Sequence, residues 1–267
     1  MADGPSTART QPFALALLEA ERTGRPIEPI SDGWNDITIA DAYAIQQHAR
    51  TVRLESGETL VGRKIGLTSQ AMQDMLGVDQ PDLGYITDAM LSHSPADLTS
   101  WGLIEPRVEA EIAFRFTQPL TSPITPDTLL TAGAEIAPAL EIIDSRVANW
   151  RIKITDTIAD NASSAHVVVG TFTPLAADID LATLAATLTV TDAGGDSASV
   201  SGNGSAVLGH PANAIEWLAD ALRTYADEQI EPGQIVLPGA MARALPIGPG
   251  ATAQATFDHI GTVEARF

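Results

Sequence analysis

Cysteine is missing from all 267 residues. Its absence excludes a disulfide framework, a thiolate zinc site and a cysteine nucleophile. It also fits a cytoplasmic protein, where disulfides are rare. Basic charge is scarce: 15 Lys and Arg stand against 34 Asp and Glu, for a formal net charge of −19. Such a field repels phosphate backbones and anionic membrane surfaces, so neither nucleic acid nor membrane is an expected partner. No run approaches the roughly 18 apolar residues of a membrane span. The opening MADGPSTARTQPF lacks the basic stretch followed by an apolar one that a signal peptide needs. Lysine is nearly absent, with only Lys64 and Lys153, which singles out a lysine that falls in a motif. There is no glycine-rich phosphate loop and no G-x-S-x-G elbow, so Ser-His-Asp chemistry has no support. His48, His93, His166 and His259 show no ligand spacing, and His210 before Pro211 reads as a helix cap.

What is present is ample core material. Hydrophobic residues make up 45% of a chain long enough to bury a large core without staples. Apolar residues at helical spacing (Phe13, Leu15, Leu17, Leu18) predict a helix over Pro12 to Thr23. Thr38 and Asp41 form a capping-box pattern for a second helix that ends near Leu54 and Gly57. TLVGRKIGL reads as a strand with a glycine turn, Ser69 opens a short helix ending near Gly77, and GVDQPDLG reads as a loop. From Arg107 onward the texture is mostly β. RVEAEIAFRF and PALEIID read as strands, LTVTDAGGDSASV as a hairpin, and QIVLPG, ATAQATF and TVEARF as closing strands. One helix interrupts them, from Pro211 to about Tyr225. The fold class is therefore α+β: a helical N-terminal arm, residues 1–100, on a mostly β domain, residues 101–267.

The chemistry centres on carboxylates. In RVEAEIAFRF, Glu109 and Glu111 share one face, and their Cα atoms are about 6.5–7 Å apart on a strand. Two carboxylates at that spacing can close on one ion. The plain reading is that alternation merely turns them to solvent. Glu141 shifts that balance, because it interrupts the apolar run APALEII, where a lone Glu is rare unless paired or metal-bound. Three carboxylates without a nearby histidine or cysteine suit a hard divalent ion, Mg²⁺ or Mn²⁺, better than zinc. Such a site leaves positions for a chelating substrate such as a 2-keto acid. Lys64 in GRKIGLT lies among glycines that permit close packing. Asp79 and Asp82 fall in the GVDQPDLG loop, where aspartates most often cap turns. Asp160-Asn161-Ala162-Ser163 follows a β-like run and reads as turn chemistry.

These segments also carry a resemblance. GRKIGLTSQAM, LGVDQPDLG, EPRVEAEIAF, PALEIIDSR, DTIADNASS, LGHPANAIEWLA and IGTVEARF occur in this order in the 2-keto-4-pentenoate (2-hydroxypenta-2,4-dienoate) hydratases of the fumarylacetoacetate hydrolase superfamily. The chain resembles that family from about Pro12 to Phe267. The resemblance implies a distorted β-roll or sandwich with a helical N-terminal part, and a homo-oligomer. It implies metal ligation by Glu109, Glu111 and Glu141, and active-site roles for Lys64 and Asp82. It leaves Asp79 a candidate and gives Ser163 a hydrogen-bonding part. The implied reaction is addition of water to a 2-hydroxy-2,4-dienoate, giving a 4-hydroxy-2-keto acid in the meta-cleavage catabolism of aromatic compounds. The related 4-oxalocrotonate decarboxylases tend to lack the second aspartate of DQPD, here Asp82, so decarboxylation ranks second. Acylpyruvate hydrolysis ranks third, because the TGTP-type turn of those enzymes is replaced by LPGAMARAL. That turn also departs from the TGA form of hydratases, which leaves the substrate tail open. A scaffold subunit for a pathway decarboxylase or aldolase is the reading from another class, and the intact carboxylate triad argues against it.

Overall fold

The computed structural model describes residues 7–69, 73–74 and 77–267. The short helix expected after Ser69 falls mostly outside the described residues. Helix α1 (Thr7–Thr23), the single turn α2 (Ile30–Gly33) and α3 (Ile39–Glu55) open the chain. The expected capping box starts α3: the Thr38 hydroxyl accepts from the Asp41 amide, and the Asp41 carboxylate accepts from the Thr38 amide.

Two sheets follow. The larger has the order β2-β1-β11-β5-β6-β7-β3, with β12 pairing β5 and β8 pairing β6. Its members are β1 (Leu60–Gly66), β2 (Asp82–Thr87), β3 (Leu91–His93), β5 (Arg107–Phe116), β6 (Ala134–Ile143), β7 (Ser164–Val169), β8 (Thr173–Pro174), β11 (Ile235–Leu237) and β12 (Leu245–Pro246). The smaller has the order β10-β9-β13-β14-β4, built from β4 (Ala96–Asp97), β9 (Ala185–Thr191), β10 (Ser197–Asn203), β13 (Thr252–Phe257) and β14 (Gly261–Arg266). Helix α4 (Pro126–Thr131) leads into β6, α5 (Ile154–Ala159) precedes β7, and α6 (Pro211–Tyr225) follows β10. Strands from before residue 100 sit in both sheets: β1 pairs β11, β3 pairs β7 and β4 pairs β14. No helix among the described residues is long and apolar enough to cross a membrane.

The larger sheet curls, so that β2 at one edge packs against β7 near the other. Its convex face follows the sequence pattern. Val108, Ala110, Ile112, Phe114 and Phe116 point into the main core, where the smaller sheet stacks on β5 and β6. The face expected to meet solvent does not. Curling covers it: Ala113, Ala137, Val167, Val169, Ile235 and Leu237 form a second apolar cluster inside the curve. Glu111 and Glu141 stand on this inner face and are 1% and 0% exposed. Alternation along β5 thus separates two interiors rather than core from water.

Two local readings change. GVDQPDLG is not loop throughout, because its second aspartate opens β2. The β-branched run ITDTIA is helix α5, not strand. Propensity is overridden there by Asp156, which accepts from the Lys153 amide, the Ser31 amide and the Ser31 hydroxyl, fixing the helix start against α2. Gln46 on α3 ties this helix to the sheet: its side-chain amide donates to the Leu83 and Ile158 carbonyls, each at 2.8 Å.

Candidate active site

Strand register brings the acidic residues together. On the antiparallel pair β5–β6, Glu109 stands directly opposite Glu141, and Glu111 lies two residues further along β5. Carboxylate oxygens of all three lie within 4.8 Å of one another. Opposed like charges on neighbouring strands are destabilising, and burial adds to the cost. Both oxygens of Glu141 and Oε1 of Glu111 have no hydrogen-bond partner. Glu111 Oε2 accepts from the Gly239 amide at 2.9 Å, in the turn after β11. Unpartnered, converging, buried carboxylate oxygens are the donor set that a hard divalent cation requires. Glu109, Glu111 and Glu141 therefore fit such an ion.

The electrostatics agree. Burial, then the neighbouring Glu141, push Glu109 up to about 7. Burial drives Glu111 well above the usual carboxylate range, with Glu141 and Glu109 adding to it. Burial also raises Glu141, opposed by Lys64 and by the nearby Ser164 hydroxyl, which makes no hydrogen bond of full geometry. Without a cation this cluster resists ionisation, as closely held carboxylates do.

Lys64 enters from β1, on the other side of β11. Its ammonium lies 3.4 Å from Glu141 Oε1 and donates to the Ala162 carbonyl at 3.0 Å. Burial alone would lower its pKa, but Glu141, Asp82, Glu109 and Glu111 together outweigh that and raise it, so the amine stays charged. Asp82 faces the same space from β2, which pairs with β1 so that Gly66 opposes Asp82 and Gly84 opposes Lys64. Thr157 of α5 donates to Asp82 Oδ2 at 2.7 Å. Asp82 Oδ1 lies over Gly66, where a Cβ would stand 2.3 Å from it and 3.2 Å from the Lys64 ammonium. Burial raises Asp82 above its ordinary value, with Lys64 and Thr157 opposing.

The other candidates fall differently. Asp79 is exposed in the segment leading into β2. Ser163 is buried, but its hydroxyl faces Asp160 Oδ2 at 3.4 Å. Sequence reading missed Thr157, Ser164 and the Ala162 carbonyl. A main-chain oxygen leaves no residue-type signal; Thr157 lay in a run read as β-like, and Ser164 just past the turn that was read to end at Ser163.

No family model matches the chain. Relatives do. It is 41% identical to a 2-hydroxyhexa-2,4-dienoate hydratase of Comamonas testosteroni over 94% of either chain. It is 41% identical to a 2-keto-4-pentenoate hydratase of Burkholderia vietnamiensis over 96% of both. It is 36% identical to a 2-oxo-hept-4-ene-1,7-dioate hydratase of Escherichia coli, again over 96% of both. Among solved structures, it is similar to 4-oxalocrotonate decarboxylase from Pseudomonas putida G7, complexed with magnesium and adipate, at a TM-score of 0.89 and 30% identity over 98% of both chains. A fumarylpyruvate hydrolase from Pseudomonas aeruginosa, complexed with Mn²⁺ and pyruvate, shares the fold at a TM-score of 0.57 and 12% identity, over 77% of this chain and 88% of that one. Identity near 40% along almost the whole length, in a chain whose curled sheet gathers the motif carboxylates and Lys64, places it: the chain belongs to the 2-keto-4-pentenoate hydratase family of the fumarylacetoacetate hydrolase superfamily, a family of hydro-lyases.

Proposed function

We propose that this chain adds water to a 2-hydroxy-2,4-dienoate, giving a 4-hydroxy-2-keto acid, within meta-cleavage catabolism of aromatic compounds. The observation that carries the reading is the convergence of Glu109, Glu111 and Glu141, three of whose oxygens make no hydrogen bond, with the buried Lys64 and Asp82 on one concave face. Glu109, Glu111 and Glu141 hold a divalent ion in this reading, Mg²⁺ or Mn²⁺. When bound, the ion supplies Lewis-acid stabilisation of the negative charge that develops on the substrate's 2-oxygen.

The chain's own groups do the rest. The 2-hydroxydienoate first loses its hydroxyl proton and gains one at C5, which gives an unsaturated 2-keto acid. Water then bonds through oxygen to C4, sheds a proton, and C3 takes a proton up. The Lys64 ammonium, held by the Ala162 carbonyl and Glu141, neutralises charge on the substrate head as the double bonds move. Asp82 receives or returns the proton of the attacking water. Its raised pKa and its anchorage to Thr157 suit that task, since an acid–base group works best when tuned toward the working pH and fixed in place. Ser163 supports the wall of the site, and Asp79 keeps a role at its approach. The substrate is a small 2-keto or 2-hydroxydienoic acid. Homo-oligomerisation, implied by the family resemblance, and a cytoplasmic location, in keeping with a cysteine-free chain, complete the reading. A pathway decarboxylase or aldolase is the natural neighbour for such a product.

The test is a panel of 2-hydroxydienoates with Mg²⁺ or Mn²⁺, followed by loss of dienol absorbance and product mass. Gain of one water supports the proposal. Loss of CO₂ would make the chain a decarboxylase, like the structural neighbour from Pseudomonas putida. Chain cleavage would make it a hydrolase.

A further inference from the structure

Three consecutive residues without the freedom of glycine adopt left-handed backbone: Asn161, Ala162 and Ser163 have φ of 56°, 50° and 53°. Left-handed conformation is unfavourable for L-residues, and only isolated Asn or Asp tolerates it readily. Ala162 in the middle has no polar side chain to compensate. Strain of this kind persists only where the surroundings over-determine it.

The surroundings do. On the N-terminal side, Asp160 is locked to the buried Arg146 by a 2.6 Å ion pair from Nε, and the Arg146 amide donates to its other oxygen at 3.0 Å. Arg146 also donates to the Asp144 and Ser164 carbonyls, so one guanidinium ties both ends of the turn to the exit of β6. Inside the turn, the Asn161 side chain pairs with the β2 backbone as another strand would. It accepts from the Tyr85 amide at 2.8 Å and donates to the Tyr85 carbonyl at 3.0 Å. The Ser163 carbonyl accepts from the Asp144 amide at 2.8 Å. Gly84 makes the approach possible, since a Cβ there would meet the Asn161 carbonyl oxygen at 2.7 Å and the Lys64 stem at 3.1 Å. Of the turn's carbonyls, that of Ala162 reaches the Lys64 ammonium. Relaxation of φ to the right-handed region would swing that oxygen away.

We propose that the Asn161–Ser163 turn is a strained clamp that fixes the Lys64 ammonium between Glu141 and Asp82, with Arg146, Asp160 and Asn161 as positioning residues for the reaction. The proposal rests on the role given to Lys64 above. The clamp acts on position alone: Arg146, Asp160 and Asn161 hold the turn, the turn aims one carbonyl, and that carbonyl sets where the charge sits. A displacement of about 1 Å at such a group can cost on the order of 10²-fold in rate.

Ala162→Gly separates the clamp from ordinary packing. Glycine adopts the left-handed conformation without strain, so the variant should fold with an unchanged or higher Tm. The wider range of φ/ψ open to glycine lets the carbonyl at position 162 wander from the ammonium, so kcat should fall by at least about tenfold, while KM and Mn²⁺ affinity stay within about twofold. Asn161→Ala, which frees the turn from β2, should show the same split even where its Tm falls. The route through Lys64 is tested by adding Ala162→Gly to Lys64→Met and following solvent-deuterium incorporation. The second change should cost nothing further, because coupled residues are not additive. Wild-type kcat in Ala162→Gly, or full additivity with Lys64→Met, would overturn the inference while leaving the hydratase reading intact. Wild-type activity in Lys64→Met alone would instead remove the role of Lys64, and the clamp with it.

Discussion

Glu109 and Glu141 face each other across adjoining antiparallel strands, with no basic residue between them in the ladder. Elsewhere such a pair would be a defect. Here β5 also places Glu111 beside them, and the Glu141 oxygens make no hydrogen bond, with the Lys64 ammonium 3.4 Å from one of them. In the proposed reading the ladder spends folding energy on a position for a cation. Conversion of Glu141 to glutamine keeps the size of the side chain and removes its charge. The variant should bind Mn²⁺ at least about tenfold more weakly, since ligand charge governs affinity for hard cations. Its metal-free Tm should change far less than its Mn²⁺ affinity, because the loss of the Lys64 contact is offset by relief of crowding among three carboxylates, and the ammonium keeps the Ala162 carbonyl. Titration with Mn²⁺ and thermal melts in chelator check both. Parental Mn²⁺ affinity would assign Glu141 to structure alone.

Much of this was legible in the chain itself. The strand RVEAEIAFRF, its partner PALEII, the Thr38–Asp41 cap and the Pro211 helix all appear where local pattern put them. His210 caps that helix through Nδ1, which accepts from the Ala212 amide, as its place before a proline suggested. The buried setting of Glu141 was legible from its apolar run on β6. That Glu109 and Glu111 face an interior was not legible from β5, because alternation cannot tell a solvated face from the inside of a curl. That distinction comes from Lys64 and Asp82, which reach the same face through pairings of β1 with β11 and β2 with β1 that no local pattern encodes. Helix α5 was hidden for a similar reason. Its Ile and Thr residues favour strand locally, and the bonds that make it helical come from Ser31, more than a hundred residues earlier.

Gly66 is a sensitive point of the site. Its Cα faces Asp82 Oδ1 and the Lys64 ammonium, and any Cβ would occupy their space. Its φ lies outside the left-handed range, so alanine brings no backbone strain there. Gly66→Ala should therefore fold and retain Mn²⁺ binding, while hydration falls by about 10²-fold or more as the pair is pushed out of register. Circular dichroism, Mn²⁺ titration and kcat together check this. Near-parental kcat would mean that the Lys64–Asp82 separation does not matter to the reaction.

His166 offers a pH test outside the acidic cluster. Its ring sits against Trp101, Nε2 pairs with Ser92 Oγ at 2.9 Å and Nδ1 has no partner. Burial holds its pKa down, at about 4. A histidine depressed in the folded state contributes stability that is present above its unfolded pKa of about 6.5 and is lost as pH falls toward 4. Asp160, raised by burial to about 6, acts in the opposite sense over much of the same range: it favours the folded state more as pH falls. The two are told apart by substitution. Measured against the parent, Tm of His166→Gln should rise progressively as pH falls from 6.5 to 4, because the loss due to His166 is gone while the Asp160 gain remains, with the difference largest at the acid end. Parallel Tm profiles would show that His166 does not titrate on unfolding.

Asp82 and Lys64 face the same space beside Gly66 but take different steps in the proposed reaction, and that difference can be measured. Asp82 is anchored by Thr157 and has no part in the carboxylate triad, so Asp82→Asn should leave Mn²⁺ binding intact. It should lower hydration by about 10²–10⁴-fold, the usual contribution of a general acid or base. Proton exchange at C3 or C5 should survive, because in the proposed reaction Lys64 still supplies charge to the enolate and a cation held by the triad would add to it. Lys64→Met removes that charge from the substrate head, so exchange and hydration should fall together. Mn²⁺ affinity should not fall in Lys64→Met, because a cation repelling the ion is gone from 3.4 Å beside Glu141. Solvent-deuterium incorporation run beside the hydration rate distinguishes the two variants. Should Asp82→Asn hydrate at the parental rate, its catalytic role falls, and decarboxylation stands level with hydration as the chemistry of this site.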